Sequence, residues 1–181
     1  MIGEAKLEAA PSGLLPTGEG WFVVNVRDTA WMTNDRLGSG CRFENTNQPF
    51  PQIGFNLRVL GQGQSNAMYH RESHQEDFLV LAGRCLLLVE GQERKLEPWD
   101  FVHCPANTEH VFIGAGNSPC VILMAGSRDS DDDDVFYPVS GLARRYDAGV
   151  DTGTSSPAEA YANAGPFRAE RPADWDELPW A

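Results

Sequence analysis

The chain has 181 residues and a formal net charge of −12, because 26 acidic side chains oppose 14 basic ones. A field of that sign repels nucleic-acid phosphate and anionic lipid, so neither is expected as a partner. A highly charged anionic substrate is disfavoured as well, unless a local group of arginines offsets the overall charge.

Targeting and redox signals predict a cytoplasmic protein. The longest apolar stretches, such as residues 78–82, are far shorter than a membrane span. The N-terminus, MIGEAKLEAAPSG, has no basic segment followed by an apolar one, so no secretory signal is expected. Scattered cysteines without a CxxC pair are typical of small buried side chains rather than structural disulfides. Those cysteines are Cys41, Cys85, Cys104 and Cys120.

We expect residues 1–52 to form an N-terminal arm that carries the first strands. Residues 1–20 contain prolines, glycines and a serine, which favour an irregular segment. The stretch GWFVVNV at 20–26 is the first strand candidate, and loop-like sequence follows at 34–40 and 45–52.

Residues 53–127 have the pattern of an antiparallel β fold. Ile53, Phe55, Leu57 and Val59 alternate with less apolar residues, as in a half-buried strand. Further short apolar runs follow between turn residues, giving about eight strands at the spacing of a sandwich or barrel. No long helical pattern intervenes, so a parallel α/β sheet is excluded. The predicted class is all-β, as a β-barrel or jelly roll.

We expect residues 128–181 to form a C-terminal extension that packs on the same domain. Its acidic run at 128–134, RDSDDDD, favours a solvated loop over a calcium site, since the order of EF-hand ligands is absent. Two short helices are expected after it, the second beginning at Ser156 and Pro157. The last fifteen residues predict a surface arm that lays Trp175 and Trp180 onto the domain or a partner subunit.

The stretch YHRESHQEDFLVLAG at 69–83 gathers metal-ligand residue types ahead of an apolar run. His70 and Glu72 share one face of an extended chain, and a bend before Glu76 would bring all three together. His110 begins a distant strand and would complete the site. Two histidines and a carboxylate with open positions suit one divalent ion such as Fe, Mn, Ni, Zn or Cu.

Glu72 has three interpretations at this stage. It could be a fourth ligand, an acceptor that orients the His70 ring, or a general base. A metal-free arrangement, in which these groups hydrogen-bond to one another and to water, also stays open. Without a cation, however, the two neighbouring carboxylates would repel and the pKa of one would rise.

Other polar residues are weaker candidates. His74 lies in the expected connector and is predicted to be exposed, although a shifted register would make it the alternative ligand. His103 could point into the barrel mouth as a substrate-binding or proton-transfer group, or it could be a packed side chain. Arg58 and Asn56 share a strand face and could meet an anionic ligand, but surface placement is expected.

The order of these residues resembles the two motifs of the cupin superfamily. In the first motif His70-Arg71-Glu72 stands where His-x-His is usual, and Glu76 and then Gly83 follow at the expected spacings. In the second, Trp99-Asp100 opens a strand, the turn 105–107 follows, and His110 falls on the motif's histidine. Four positions depart from the pattern: Glu72 replaces a histidine, Trp99 and Asn107 replace glycines, and the leading glycine, Gly63, is one residue out of register. Asn tolerates the left-handed conformation better than most residues do.

The resemblance, which covers about residues 53–127, implies a cupin-like double-stranded β-helix. It implies a metal-dependent enzyme of dioxygenase or isomerase type that acts on a small organic molecule. The metal would bind His70, Glu76 and His110, with Glu72 as a further ligand or, together with His103, as a catalytic residue. The alternatives are a non-catalytic small-ligand or metal-binding module and an interaction protein that uses the tryptophan-bearing tail.

The resemblance also implies a homodimer, because small relatives of this kind pair edge to edge. The run CLLLV at 85–89 supports that expectation, since an uninterrupted apolar strand indicates that both of its faces are covered.

Overall fold

The structure, a computed structural model, describes residues 1–45, 47–128 and 134–181. Most of the acidic run at 128–134 lies outside these ranges. The solvated loop predicted there therefore falls on residues that the structure does not describe. The thirteen strands, β1 to β13 in chain order, are Lys6–Ala10, Gly13–Thr17, Trp31–Asn34, Gly38–Arg42, Ile53–Leu60, Arg71–Glu72, Glu76–Ala82, Cys85–Val89, Gln92–Leu96, Phe101–Cys104, His110–Gly114, Cys120–Ser127 and Val135–Phe136. The helices α1 and α2 are Gly141–Arg144 and Pro157–Ala160.

The strands form two principal antiparallel sheets. One sheet has six strands in the order β10-β7-β12-β5-β4-β3, and the other has three in the order β11-β8-β9. β1 and β2 pair as a hairpin, and β13 pairs with the short β6. The all-β, antiparallel jelly-roll class predicted from the sequence is confirmed.

The core lies between the inner faces of the two sheets. Phe78 and Val80 of β7 pack there with Ile122 and Met124 of β12, and Phe112 of β11 closes the core from the opposite sheet. Alternation in β7 and β12 puts these side chains on one face because the side-chain period of a strand is two. Residues that pair with them across the six-stranded sheet therefore face the interior as well.

The outer face of the six-stranded sheet is covered at one end by the C-terminal tail. Trp31 of β3 is fully buried, and its ring lies 5.8 Å from that of Trp175 and 5.5 Å from that of Trp180. In this arrangement the two tail tryptophans contact the domain of their own chain. Both predicted helices are present, and α2 begins with the Ser156 cap followed by proline.

Two expectations for the N-terminal region are wrong. Residues 20–26 form no strand and have one isolated bridge, between Glu4 and Trp21. The segment expected to be irregular contains the β1–β2 hairpin instead. The strands that extend the sheet come later, in WMTN and GSGCR. GSGCR has weak strand propensity and is held in place by its pairing with β5.

Backbone conformation agrees with the cupin-like motif spacing at three positions. Gly83 has φ +67°, and a Cβ there would lie 2.2 Å from the Pro119 carbonyl oxygen. Trp99 and Asn107, which stand where the motifs have glycine, have φ values of 77° and 67°. The two substitutions therefore keep the left-handed turns. Within the described ranges, no helix is long and apolar enough to cross a membrane.

Candidate metal centre

His70 and His110 are joined through their backbones. The amide of His70 donates to the His110 carbonyl at 3.2 Å, and the amide of His110 donates to the His70 carbonyl at 2.8 Å. This reciprocal pair is an isolated antiparallel bridge between the segment before β6 and the start of β11. Side chains of directly opposed residues lie on the same side of the ladder, and the two rings are 5.0 Å apart.

Both rings are held in the same orientation by main-chain carbonyls. Nδ1 of His70 lies 2.7 Å from the Met68 carbonyl oxygen, and Nδ1 of His110 lies 3.0 Å from that of Thr108. A carbonyl only accepts, so Nδ1 carries the proton in each ring and Nε2 presents its lone pair to the interior. The Nε2 atom of His110 is buried and has no hydrogen-bond partner.

Glu76 completes a compact group of three possible ligands. Its Oε2 lies 3.4 Å from Nε2 of His110, and ligand atoms of Glu76, His70 and His110 all lie within 4.8 Å of one another. Both histidines are buried and the carboxylate is half-buried. An unsatisfied buried nitrogen beside a carboxylate is costly in an apolar core, and a cation would relieve that cost. The donor set suits a divalent metal ion.

Glu72 contacts the Nε2 side of the His70 ring. Its Oε1 lies 3.6 Å from Nε2 of that ring, whereas Nδ1 already bonds to Met68. Glu72 therefore does not serve as the outer acceptor that orients the ring. Of the three interpretations, the geometry leaves a further ligand or a base beside the ligand group. β6 holds Glu72 in place by pairing it with Val135 of β13.

The electrostatics reflect four ionisable groups around a small space. Burial alone would lower the pKa of His70, but the Glu72 and Glu76 carboxylates outweigh it and hold the pKa above its ordinary value. The same contact with His70 lowers the pKa of Glu72. Burial and the neighbouring His70 charge lower the pKa of His110 to about 4. His110 is thus neutral at pH 7, as a metal ligand must be.

The other two histidines are not among the converging ligand atoms. His74 is half-buried in the bend between β6 and β7 and does not belong to the set of converging ligand atoms. His103 of β10 points to the outer face, where its Nδ1 lies 2.7 Å from Oδ1 of Asp77, its cross-strand partner. The structure does not bring His103 to the barrel mouth, because its neighbour Cys104 takes the inward position.

The expected surface placement of Arg58 and Asn56 is wrong. Arg58 pairs with Ile122, and Asn56 with Met124, so both point to the inner face. Sequence reasoning also missed Tyr137, whose ring lies 5.9 Å from that of His70. Tyr137 lies beyond the acidic run, and no spacing in the sequence indicates its proximity to the histidines.

The comparisons with known proteins agree with this fold. The family model for the cupin domain matches residues 56–126. The chain therefore contains a cupin-superfamily domain, and that match includes three of the candidate residues, His70, Glu76 and His110. Divalent metals are common in this superfamily, and the converging ligand atoms provide a possible site for one.

Two known proteins illustrate the similarity. Quercetin 2,3-dioxygenase from Bacillus subtilis is 43% identical over 44 residues, which are 24% of this chain and 13% of the dioxygenase. The chain thus aligns with only a small part of that relative. The crystal structure of a cupin-superfamily sugar phosphate isomerase from Silicibacter pomeroyi superposes with a TM-score of 0.52 and 23% identity. The match covers 63% of this chain and 85% of the isomerase, and it shows a shared fold.

Proposed function

We propose that this protein is a metal-dependent enzyme that acts on a small organic molecule. One divalent ion binds to Nε2 of His70, Nε2 of His110 and the Glu76 carboxylate. The observation that carries the proposal is the buried Nε2 of His110, which lacks a hydrogen-bond partner and lies 3.4 Å from Glu76. When bound, such an ion supplies Lewis acidity or redox chemistry to a coordinated substrate. Cleavage by a dioxygenase and isomerisation both fit three protein ligands with open positions.

Glu72 is proposed as the group that works beside the metal. Its carboxylate is half-buried, and its contact with His70 lowers its pKa, so it is ionised at pH 7. An ionised carboxylate next to open metal positions can take a proton from a bound substrate. If it binds the metal instead, four protein ligands close the site, as in a structural or non-catalytic module.

Elemental analysis tests the metal. Protein purified without chelator or added metal is expected to contain about one divalent ion per chain, and His110→Ala is expected to lose it. His103→Ala is the matched control, because His103 lies on the outer face with Asp77 and should leave the metal content unchanged. A metal-free wild type with an intact fold, or a His110→Ala variant that keeps its metal, would refute the proposal.

Cobalt substitution separates an enzyme from a closed binding module. Azide should alter the visible spectrum of the Co(II) protein if a coordination position is open. The Glu72→Gln variant should keep the metal and the azide response if Glu72 is a base. A wild-type spectrum that ignores azide, together with metal loss in Glu72→Gln, would favour the non-catalytic module.

We further propose a homodimer that forms through the uncovered end of the six-stranded sheet. The apolar run CLLLV does not support a dimer, because its residues Leu86 and Leu88 pack on the α1 segment within the same chain. On the outer face, Phe101 and Trp99 are 65% and 74% exposed, beyond the part that the C-terminal tail covers. A second copy placed there would remove these apolar side chains from water.

A cytoplasmic location is proposed on the state of the cysteines. All four are buried free thiols, as the sequence predicted. Burial raises the pKa of Cys41 and of Cys104, the latter to about 12, so these side chains are unreactive thiols at neutral pH. Buried, unpaired cysteines are typical of proteins that stay in a reducing compartment.

A further inference from the structure

Arg58 is a half-buried cation on the inner face of the six-stranded sheet. Its cross-strand partner Ile122 pairs in turn with Val80, and both belong to the core between the sheets. Among the described residues, no carboxylate forms an ion pair with Arg58 and no group accepts a hydrogen bond from it. Burial lowers its pKa, as expected for a charge without a counter-ion. An isolated buried charge is costly enough to require a reason.

The sheet is shaped to receive this guanidinium. Gly40 of β4 lies directly across from Arg58. A Cβ at Gly40 would lie 2.9 Å from Nη1, 3.2 Å from Cδ and 3.3 Å from Cζ of the arginine. The side chain therefore lies over a position that glycine leaves clear, and its inner-face direction follows from the register of β5.

A second arginine uses the same arrangement but has a partner. The guanidinium of Arg128 lies over Gly54, where a Cβ would be 2.6 Å from Nη2. Glu44 accepts from both terminal nitrogens of Arg128, at 2.8 and 2.5 Å. The fold thus neutralises one guanidinium on this face and leaves the charge of Arg58 available.

The groups around Arg58 lead to the metal centre. The amide oxygen of Asn56, on the same strand face, is buried and has no hydrogen-bond partner. Tyr161 lies close enough for the Arg58 charge to oppose the upward shift that burial causes in its pKa. The Tyr161 ring is 5.7 Å from that of Tyr137, which in turn lies 5.9 Å from the His70 ring.

The inner face has open space beside Glu76. Gly126 is the cross-strand partner of Glu76, and a Cβ at Gly126 would meet no atom within 4 Å. In the next cross-strand row, Asn56 and Phe78 lie on either side of Met124. These two residues are two strand spacings, or about 10 Å, apart. Arg58 and Glu76 lie in the rows on either side of this one, so a molecule that contacts both passes Met124 and Phe78. Arg42, the exposed partner of Asn56, adds positive charge at the end of this row.

We propose that Arg58 binds an anionic group, a carboxylate or a phosphate, of the small molecule that the His70, Glu76 and His110 centre acts on. Asn56 and Tyr161 hydrogen-bond to the same molecule. This proposal rests on the proposed function and names its substrate class. The net charge of −12 would repel such an anion, and Arg58 with Arg42 supplies the local field that reverses this. A guanidinium also binds both kinds of anion through two parallel hydrogen bonds.

The test is anion binding to metal-free protein. Benzoate and inorganic phosphate are titrated by calorimetry into the wild type and into Arg58→Met, after the metal has been removed with a chelator. We expect one of the two anions to bind the wild type and to raise its Tm. Arg58→Met should weaken that binding at least about tenfold. Whichever of the two anions binds identifies the anionic group of the substrate. Failure of both anions to bind the wild type would overturn the proposal.

Thermal stability separates a ligand-binding arginine from a structural one. Without anion, Arg58→Met should have a Tm equal to or above that of the wild type, because it removes an unpaired buried charge. Arg128→Met, which breaks the pair with Glu44, should lower the Tm. An Arg58→Met variant that loses as much Tm as Arg128→Met and still binds the anion normally would show a structural role and overturn the proposal.

Two more variants keep the result distinct from that of the metal site. Gly40→Ala should displace the guanidinium and weaken anion binding while the charge remains. His110→Ala should lose the metal and keep the anion affinity of metal-free wild type. If His110→Ala retained the metal, the proposed function would fail while the anion result stood. If Gly40→Ala bound the anion as the wild type does, the position of Arg58 would not matter and this inference would fail.

Discussion

The pair formed by Glu44 and Arg128 should dominate the acid sensitivity of the fold. The Glu44 side chain is 4% exposed, and it also accepts a hydrogen bond from the Phe50 amide at 2.7 Å. Removing one partner of a buried pair costs roughly 3–5 kcal/mol, but Arg128 is 37% exposed and regains water. We therefore expect Glu44→Gln to lower the free energy of unfolding by about 2 kcal/mol at pH 7.

The loss should depend on pH in a defined direction. Burial alone would raise the pKa of Glu44, but Arg128 and the Phe50 amide outweigh it and hold the pKa below its ordinary value of 4.5. The contribution of the pair is therefore complete above that ordinary value and is lost as the pH falls through the lower pKa of the folded state. The wild type and Glu44→Gln should converge in stability at strongly acidic pH.

Urea unfolding at a series of pH values measures this difference. Asp35→Asn is the matched control, because Asp35 also binds an arginine, Arg168 at 2.8 Å, but is 86% exposed. Exposed pairs of this kind contribute little, so Asp35→Asn should leave the unfolding free energy almost unchanged. A Glu44→Gln variant as stable as the wild type at pH 7, or a gap that stays constant down to pH 3, would refute the argument from burial.

Three further outcomes follow from the backbone, the tail and the outer sheet. In the Phe101→Asp background, which removes the proposed dimer contact, Trp99→Gly should raise the free energy of unfolding by about 0.5–1 kcal/mol in urea, because it removes a side chain that is 74% exposed in the single chain from a φ of 77°. A loss of stability would instead reveal packing by that ring. Trp180→Ala should lower the free energy of unfolding by about 2 kcal/mol, since it removes the ring stacked 5.5 Å from Trp31. A Trp180→Ala variant as stable as the wild type would contradict this packing argument. Phe101→Asp should shift the protein from dimer to monomer in light scattering, and a dimer of unchanged stability would place the interface elsewhere.

The sequence predicted the parts of the site that depend on strand period and motif spacing. His70, Glu76 and His110 converge because each occupies an inward position at a strand or bridge, and their spacing matches the cupin motifs. His103 could not be oriented in the same way. Its strand, FVHC, has apolar residues at both parities, so the pattern does not say which face is inward.

Other features were beyond the sequence because they depend on distant contacts. The inward direction of Arg58 is set by pairing with β4 and β12, and a charged residue in a strand normally indicates an outer face. Glu72 was expected to take one of three roles, and only the bond between Nδ1 of His70 and Met68 removes one of them. The left-handed backbone at Trp99 follows from the motif position alone, because a bulky aromatic residue disfavours it.

The reciprocal amide bonds between His70 and His110 make the spacing of the two ligands a property of the peptide ladder. Repacking of the surrounding core would change the shape of the site without changing the distance between the two backbone positions that carry the imidazoles. Under the proposed function, substrate preference should thus be able to diverge while the geometry of the metal centre stays fixed. Conversely, a one-residue slip of this ladder would turn one imidazole away, so the centre would be lost as a unit and not by degrees.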